Sequence, residues 1–123
     1  MKEDSVYISH ILDAISDIKE LTHGMHEKDF LGDKAVKLAV VKSFEIIGEA
    51  SKNLSDGFRN ANPRIPWSDI AKMRDKTVHF YFGINYSIVW ETLRNDLPKL
   101  EKEIISAQKS CLSAGESGKG KGN

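Results

Sequence analysis

The stretch Asp33–Leu54, DKAVKLAVVKSFEIIGEASKNL, decides the fold class. Asp33 is a residue type that caps helices, and Val36, Val40, Phe44, Ile47 and Leu54 recur at the spacing of one helix face. Leu38, Val41 and Gly48 add a second stripe. A helix that is apolar on more than one side belongs at the centre of a bundle, or faces both the core and a partner.

The flanking sequence repeats the pattern. Upstream, Tyr7, Ile11, Ala14, Ile15, Ile18 and Leu21 trace one helix face, and Gly24 is placed to end it. Downstream, Asp56–Arg64, with Gly57 and Pro63, reads as a loop. Pro66 suits a first helical turn, Ile70, Met73 and Val78 supply the apolar side of the next helix, and Gly83 is its expected stop. Asn85 can cap a last long helix with the stripe Val89, Leu93, Leu97, Leu100 and Ile104. Pro98 interrupts that helix, because the carbonyl of Arg94 loses its partner. No strand-like alternation appears. The expectation is an all-α protein, an antiparallel bundle of four to five helices over residues 1–108, followed by a flexible Gly/Ser/Lys-rich tail over 109–123.

Composition narrows the class of function. At 123 residues one domain can bury roughly two-thirds of the surface its unfolded chain exposes, enough for a core without metals or disulfides. The single cysteine, Cys111, cannot form an internal bridge. No apolar run approaches the ~20 residues of a membrane span, and the acidic N-terminal segment lacks a signal-peptide pattern, so a cytoplasmic location is expected. Eighteen basic and eighteen acidic side chains cancel, but unevenly. Residues 1–33 carry three lysines against eight acids, a net of −5, and residues 34–76 carry nine bases against five acids, a net of +4. That asymmetry permits a local basic surface for a phosphate-bearing partner, and ordinary helix-surface decoration accounts for it as well.

Phosphate loops, zinc spacings and nucleophile elbows are absent. His23 and His26 flank Gly24 at a helix end without further ligands, His10 reads as a surface residue, and Trp67 and Trp90 read as core or interface anchors. One constellation carries chemistry: Arg74-Asp75-Lys76-Thr77-Val78-His79-Phe80-Tyr81. Phosphodiester cleavage needs proton transfer at the nucleophile and at the leaving oxygen, and positive charge on the phosphate. Histidine titrates near neutrality, and arginine offers a permanently charged fork. An RNA strand brings its own nucleophile, the ribose 2′-OH. Five residues of helix turn about 500°, which leaves Arg74 and His79 roughly 140° apart. Two copies meeting across a two-fold axis would bring such groups to one phosphate, with one histidine as base and the other as acid. On spacing alone, a helix end stabilised by histidine and packed by a tyrosine ring fits equally well.

The chain resembles the HepT-like toxins of the HEPN superfamily, which carry an Arg-x4-His-x-Tyr motif. The likeness extends over SFEIIGEASKNLS (Ser43–Ser55), IPWSDIAKMRDKTVHFYFG (Ile65–Gly83) and IVWETLRNDLPKL (Ile88–Leu100), in the family's order. It implies a HEPN-like bundle, dimeric through its motif-bearing helices, and a metal-independent endoribonuclease without cofactor. Such an enzyme is the toxin of a type VII-like toxin–antitoxin pair. By position, Arg74 and His79 match the catalytic pair, and Tyr81 matches the tyrosine that an MntA-like nucleotidyltransferase antitoxin modifies with AMP. Asp75 stands where the family usually has Asn or another polar residue, and its charge could pair with Arg74. Lys72 and Lys76 are candidate RNA contacts. The alternative is a non-catalytic helical partner that docks on a nucleotidyltransferase.

Overall fold

In the computed structural model the chain is described over residues 2–79 and 84–122, with side chains for 3–72, 74 and 84–110. All regular structure among the described residues is helical. The centre is the helix read from the decisive stretch, here α3 (Lys34–Lys52), after α1 (Lys2–Thr22) and a short α2 (Glu27–Leu31). Asp33 caps α3 as expected, its Oδ1 accepting the Val36 N–H at 3.0 Å. Val40, Phe44, Ile47 and Leu54 are buried, and Val41 and Gly48 of the second stripe are buried too. Leu38 is a correction: it is 45 % exposed on the outer side of α3. The second stripe therefore meets neighbours only toward the C-terminal half of the helix.

Helix α1 lies along α3, burying Ile8, Ile11, Ala14, Ile15 and Ile18. It ends at Thr22, and Gly24 turns the chain with φ +77°, a left-handed conformation that glycine adopts without a Cβ penalty. The direction of α1 is fixed at its other end. Asp4, 3 % exposed, accepts the Ser55 N–H at 2.8 Å and the Ser55 hydroxyl at 2.7 Å. The start of α1 thus meets the end of α3, so the two run antiparallel.

Two short helices depart from the sequence reading. The segment read as the loop Asp56–Arg64 contains α4 (Asp56–Ala61). Ser55 Oγ, held by Asp4, accepts the Phe58 N–H at 3.1 Å, and the Phe58 side chain is buried. A capped and anchored turn overrides the local glycine. Between α1 and α3, α2 buries Phe30 against Trp90, with ring centroids 5.3 Å apart. Both helices depend on partners distant in sequence, which periodicity does not reveal.

Helix α5 (Trp67–His79) packs along α3. The Pro66 carbonyl accepts the Ile70 N–H at 3.0 Å, so proline opens this helix, and Ile70 is buried. Met73 and Val78 of the expected stripe, and the expected stop at Gly83, lie outside the described side chains and residues. The last helical stretch begins at α6 (Tyr86–Glu91), where the Asn85 side chain accepts the N–H groups of Ser87 and Ile88. It passes through a π-helical turn (Thr92–Asp96) into α7 (Leu97–Gly122). The expected interruption at Pro98 takes this form: the Leu97 N–H bonds back to the Thr92 carbonyl. The turn widens directly before a residue that has no N–H to offer the Arg94 carbonyl. Leu93, Leu97, Leu100, Ile104 and Ala107 close the core against α1. The α7 backbone continues to Gly122 across the segment that composition reads as a tail, while its last described buried side chain is Ala107.

Helices α3 and α5 approach closely at one point. Gly48 lies under Arg74, and a Cβ at position 48 would fall on the Arg74 Cβ and Cγ. Helix propensity alone makes Gly→Ala stabilising by roughly 1 kcal/mol. Here Gly48→Ala is expected to destabilise the protein by roughly 1–3 kcal/mol through overpacking, measured by urea unfolding. An increase in stability would contradict the close approach. Asp4→Ala, which leaves the Ser55 N–H without its acceptor, should cost roughly 1.5–3 kcal/mol in the same assay. A loss under about 0.5 kcal/mol would show that the Asp4–Ser55 anchor does not hold the two helix ends.

Candidate functional site

Arg74 is placed by two residues of α3. Its aliphatic stem lies over Gly48, and its guanidinium Nη2 stands 3.0 Å from Glu49 Oε2. The Arg74 side chain is 27 % exposed and that of Glu49 53 %. The stem is held by packing while the charged head reaches the surface, and a carboxylate this exposed exchanges readily with another anion. Glycine at position 48 sets how near α5 can come, and Glu49 then meets the head that this approach delivers.

A cleft of about 270 Å³ opens beside this pair, between α3, α4 and α5. Gly48, Ser51 and Lys52 line it from α3, Arg59 from α4, and Trp67, Ala71 and Arg74 from α5. Trp67 is fixed in its wall by N–H donation to the carbonyls of Arg59 and Asn62, at 3.2 and 3.1 Å. Its ring also meets Phe58 edge-on, with centroids 6.2 Å apart. Trp67 is thus the anchor that its residue type suggested, joining α4 to α5.

The remaining motif residues fall unevenly around α5. His79 lies on the same helix as Arg74, at its last residue, so the two are separated by about 140° of regular helix. The side chains of His79, Asp75 and Lys76 lie outside the described set, and Tyr81 lies outside the described residues. Lys72 is not brought to Arg74. It lines a wider groove of about 710 Å³ against the π turn and α7, with Asp69, Asp96, Lys99 and Glu103 nearby. Two positions apart on a helix is about 200°, so Lys72 and Arg74 serve opposite sides. Lys76 is likewise two positions from Arg74.

Sequence reasoning did not single out Glu49, Ser51, Lys52 or Arg59. One signal was available: a glycine inside a strong helix stripe, costly unless something approaches closely. No group of three or more His, Cys, Asp or Glu side chains that could hold a metal ion occurs among the described residues. Among them, no helix is long and apolar enough to cross a membrane.

Comparison with known proteins places this geometry in a family. The family described as Ribonuclease HepT-like matches residues 11–107, which includes α3, α5 and the whole Arg74–Tyr81 segment. A protein of Caldanaerobacter subterraneus subsp. tengcongensis, named as a candidate RNase, is 45 % identical over 104 residues, covering 85 % of this chain and 93 % of its own. One from Thermococcus cleftensis, named as a candidate ribonuclease HepT, is 42 % identical over 103 residues, covering 84 % and 94 %. A candidate RNase of Methanocaldococcus jannaschii is 44 % identical over 103 residues, covering 84 % and 85 %. No solved structure matches. The family match spans most of the chain, and these relatives align over nearly their whole length. The chain belongs to the HepT-like ribonuclease family.

Proposed function

We propose that the chain is a metal-independent endoribonuclease, the toxin of a toxin–antitoxin pair, working as a homodimer. The observation that carries this reading is the family match across the motif, joined to an arginine seated on α3 with its head at a basic cleft. In the proposed reaction the RNA 2′-OH attacks the adjacent phosphorus. One histidine, His79, takes the hydroxyl proton as the new O–P bond forms. The bond to the 5′ oxygen breaks, and His79 of the second copy returns a proton to that oxygen. The products are a 2′,3′-cyclic phosphate and a 5′-hydroxyl end. Arg74 holds the phosphate oxygens as charge builds on them, a task its forked guanidinium suits better than a lysine would.

The two-copy arrangement follows from rotation: groups about 140° apart on one helix do not converge on one phosphorus, whereas two such helices across a two-fold axis can supply them. The 2′-OH nucleophile makes a metal-activated water unnecessary. Tyr81, two residues beyond His79, is the acceptor for AMP from a nucleotidyltransferase antitoxin of the MntA kind. Phosphate charge placed there would repel RNA from Arg74 and His79. The protein then acts in the cytoplasm, where its RNA substrate and ATP are found.

His79→Ala and Arg74→Lys should each lower RNA cleavage by roughly 100-fold or more, with unfolding midpoints near wild type. Cleavage by wild type should persist in excess chelator. Co-expression with the nucleotidyltransferase should add AMP mass to the wild type and none to Tyr81→Phe, which still cuts RNA. A wild-type protein that binds the nucleotidyltransferase but cuts no RNA, with or without chelator, would overturn the enzyme reading in favour of a docking subunit.

A further inference from the structure

The buried polar side chains divide unequally. Among the described residues, Asp4, Thr22, Ser43 and Ser51 are buried. Asp4 is satisfied by Ser55, Thr22 returns its hydroxyl to the Ile18 carbonyl at 2.8 Å, and Ser43 returns its own to the Ala39 carbonyl at 3.0 Å. Ser51 is different. It is 5 % exposed, and its Oγ has no hydrogen-bond partner among the described residues. A buried hydroxyl without a partner is costly and calls for a reason.

Its surroundings supply one. Ser51 lines the cleft between α3, α4 and α5, together with Lys52, Arg59 and Arg74. Three cations thus line the same cleft as a hydroxyl that has a proton to donate. Among the described side chains, Glu49 stands on Arg74, and Asp56 lies 2.6 Å from Arg59 Nη2. Both are more than half exposed, at 53 % and 89 %, so an entering anion can displace them at little cost. Serine exchanges among staggered χ1 wells, which lets Oγ turn from the floor into the cleft. Lys72 faces the other groove, so among the described side chains the further basic character beside Arg74 comes from α3 and α4.

We propose that this cleft is a phosphate subsite for the substrate strand, holding an RNA phosphate adjacent to the one Arg74 attends. The assignment rests on the ribonuclease reading and extends it to binding residues outside the motif. Ser51 Oγ donates one hydrogen bond to a phosphate oxygen, Lys52 and Arg59 neutralise its charge, and Trp67 gives the strand a rigid wall. Ser51 is therefore a binding residue, kept at the expense of a little stability.

The test uses the full chain and a fluorescein-labelled 2′-O-methyl RNA decamer, which has no free 2′-OH and cannot be cut. Lys52→Ala/Arg59→Ala should weaken decamer binding by roughly tenfold at 100 mM salt and flatten the slope of log Kd against log salt by about 1.4, two single-strand contacts. Ser51→Ala should weaken binding by roughly tenfold or less, while its unfolding midpoint stays level or rises. A purely structural serine would not pair weaker binding with undiminished stability. Decamer binding and salt slope unchanged in both variants would overturn the subsite. So would ATP binding that is weakened by the three substitutions while decamer binding is indifferent to them, which assigns the cleft to a free nucleotide. Cleavage of an unmodified decamer is measured separately. If the wild type cuts RNA but binding ignores the cleft, the subsite alone fails. If binding depends on the cleft but nothing is cut, the ribonuclease reading alone fails.

Discussion

Helix α5 can lie against α3 with Arg74 in its observed seat only because residue 48 has no side chain. A glycine in the interior of a helix costs roughly 1 kcal/mol relative to alanine, and here that cost is offset by the packing it allows. The Arg74 stem rests on the α3 backbone, and its head meets the next residue along, Glu49. The cleft lined by Ser51, Lys52 and Arg59 exists beside that seat. Arginine positioning, cleft shape and local charge all follow from one close approach between two helices.

The same approach defines what a single chain lacks. Its guanidinium is directed toward α3, while His79 follows at the end of α5, about 140° further round. A rigid helix cannot bend that separation away, and for this reason the proposed mechanism draws on a second copy for convergence on one phosphate. The division of α5 is also consistent with a strand path along one side. Arg74 faces the α3–α4 cleft and Lys72 the α7 groove, so cationic residues of one helix do not add up to one surface.

Much of the fold was legible because long helices announce themselves by period. The stripe of α1, the first stripe of α3, the stripe of α7, the Asp33 and Asn85 caps and the Gly24 turn stand where the sequence put them, while Leu38 of the second α3 stripe does not. The two short helices were not legible. Helix α4 needs Asp4, 51 positions from Ser55, and α2 needs Trp90 to cover Phe30. Such partners leave no local trace. The interruption at Pro98 was legible, whereas its form as a π turn was not, since a missing N–H can end, kink or widen a helix. That positions 74 and 79 share one helix was readable from the sequence. The opposition of Lys72 and Arg74 could have been computed from helical rotation, whereas the pairing of Gly48 with Arg74 could not, because nothing in the pattern links two separate helices. Ser51 was invisible for a further reason: its interest lies in what it fails to bond.

In the proposed mechanism, catalysis uses His79 from two copies at one site. Mixed dimers of wild type and His79→Ala, formed by unfolding and refolding the two together at varied ratios, measure this directly. If both histidines are required, activity falls as the square of the wild-type fraction, to roughly one quarter at an equal mixture. A linear fall, to roughly one half, would mean that each copy cleaves RNA alone and would contradict the shared site.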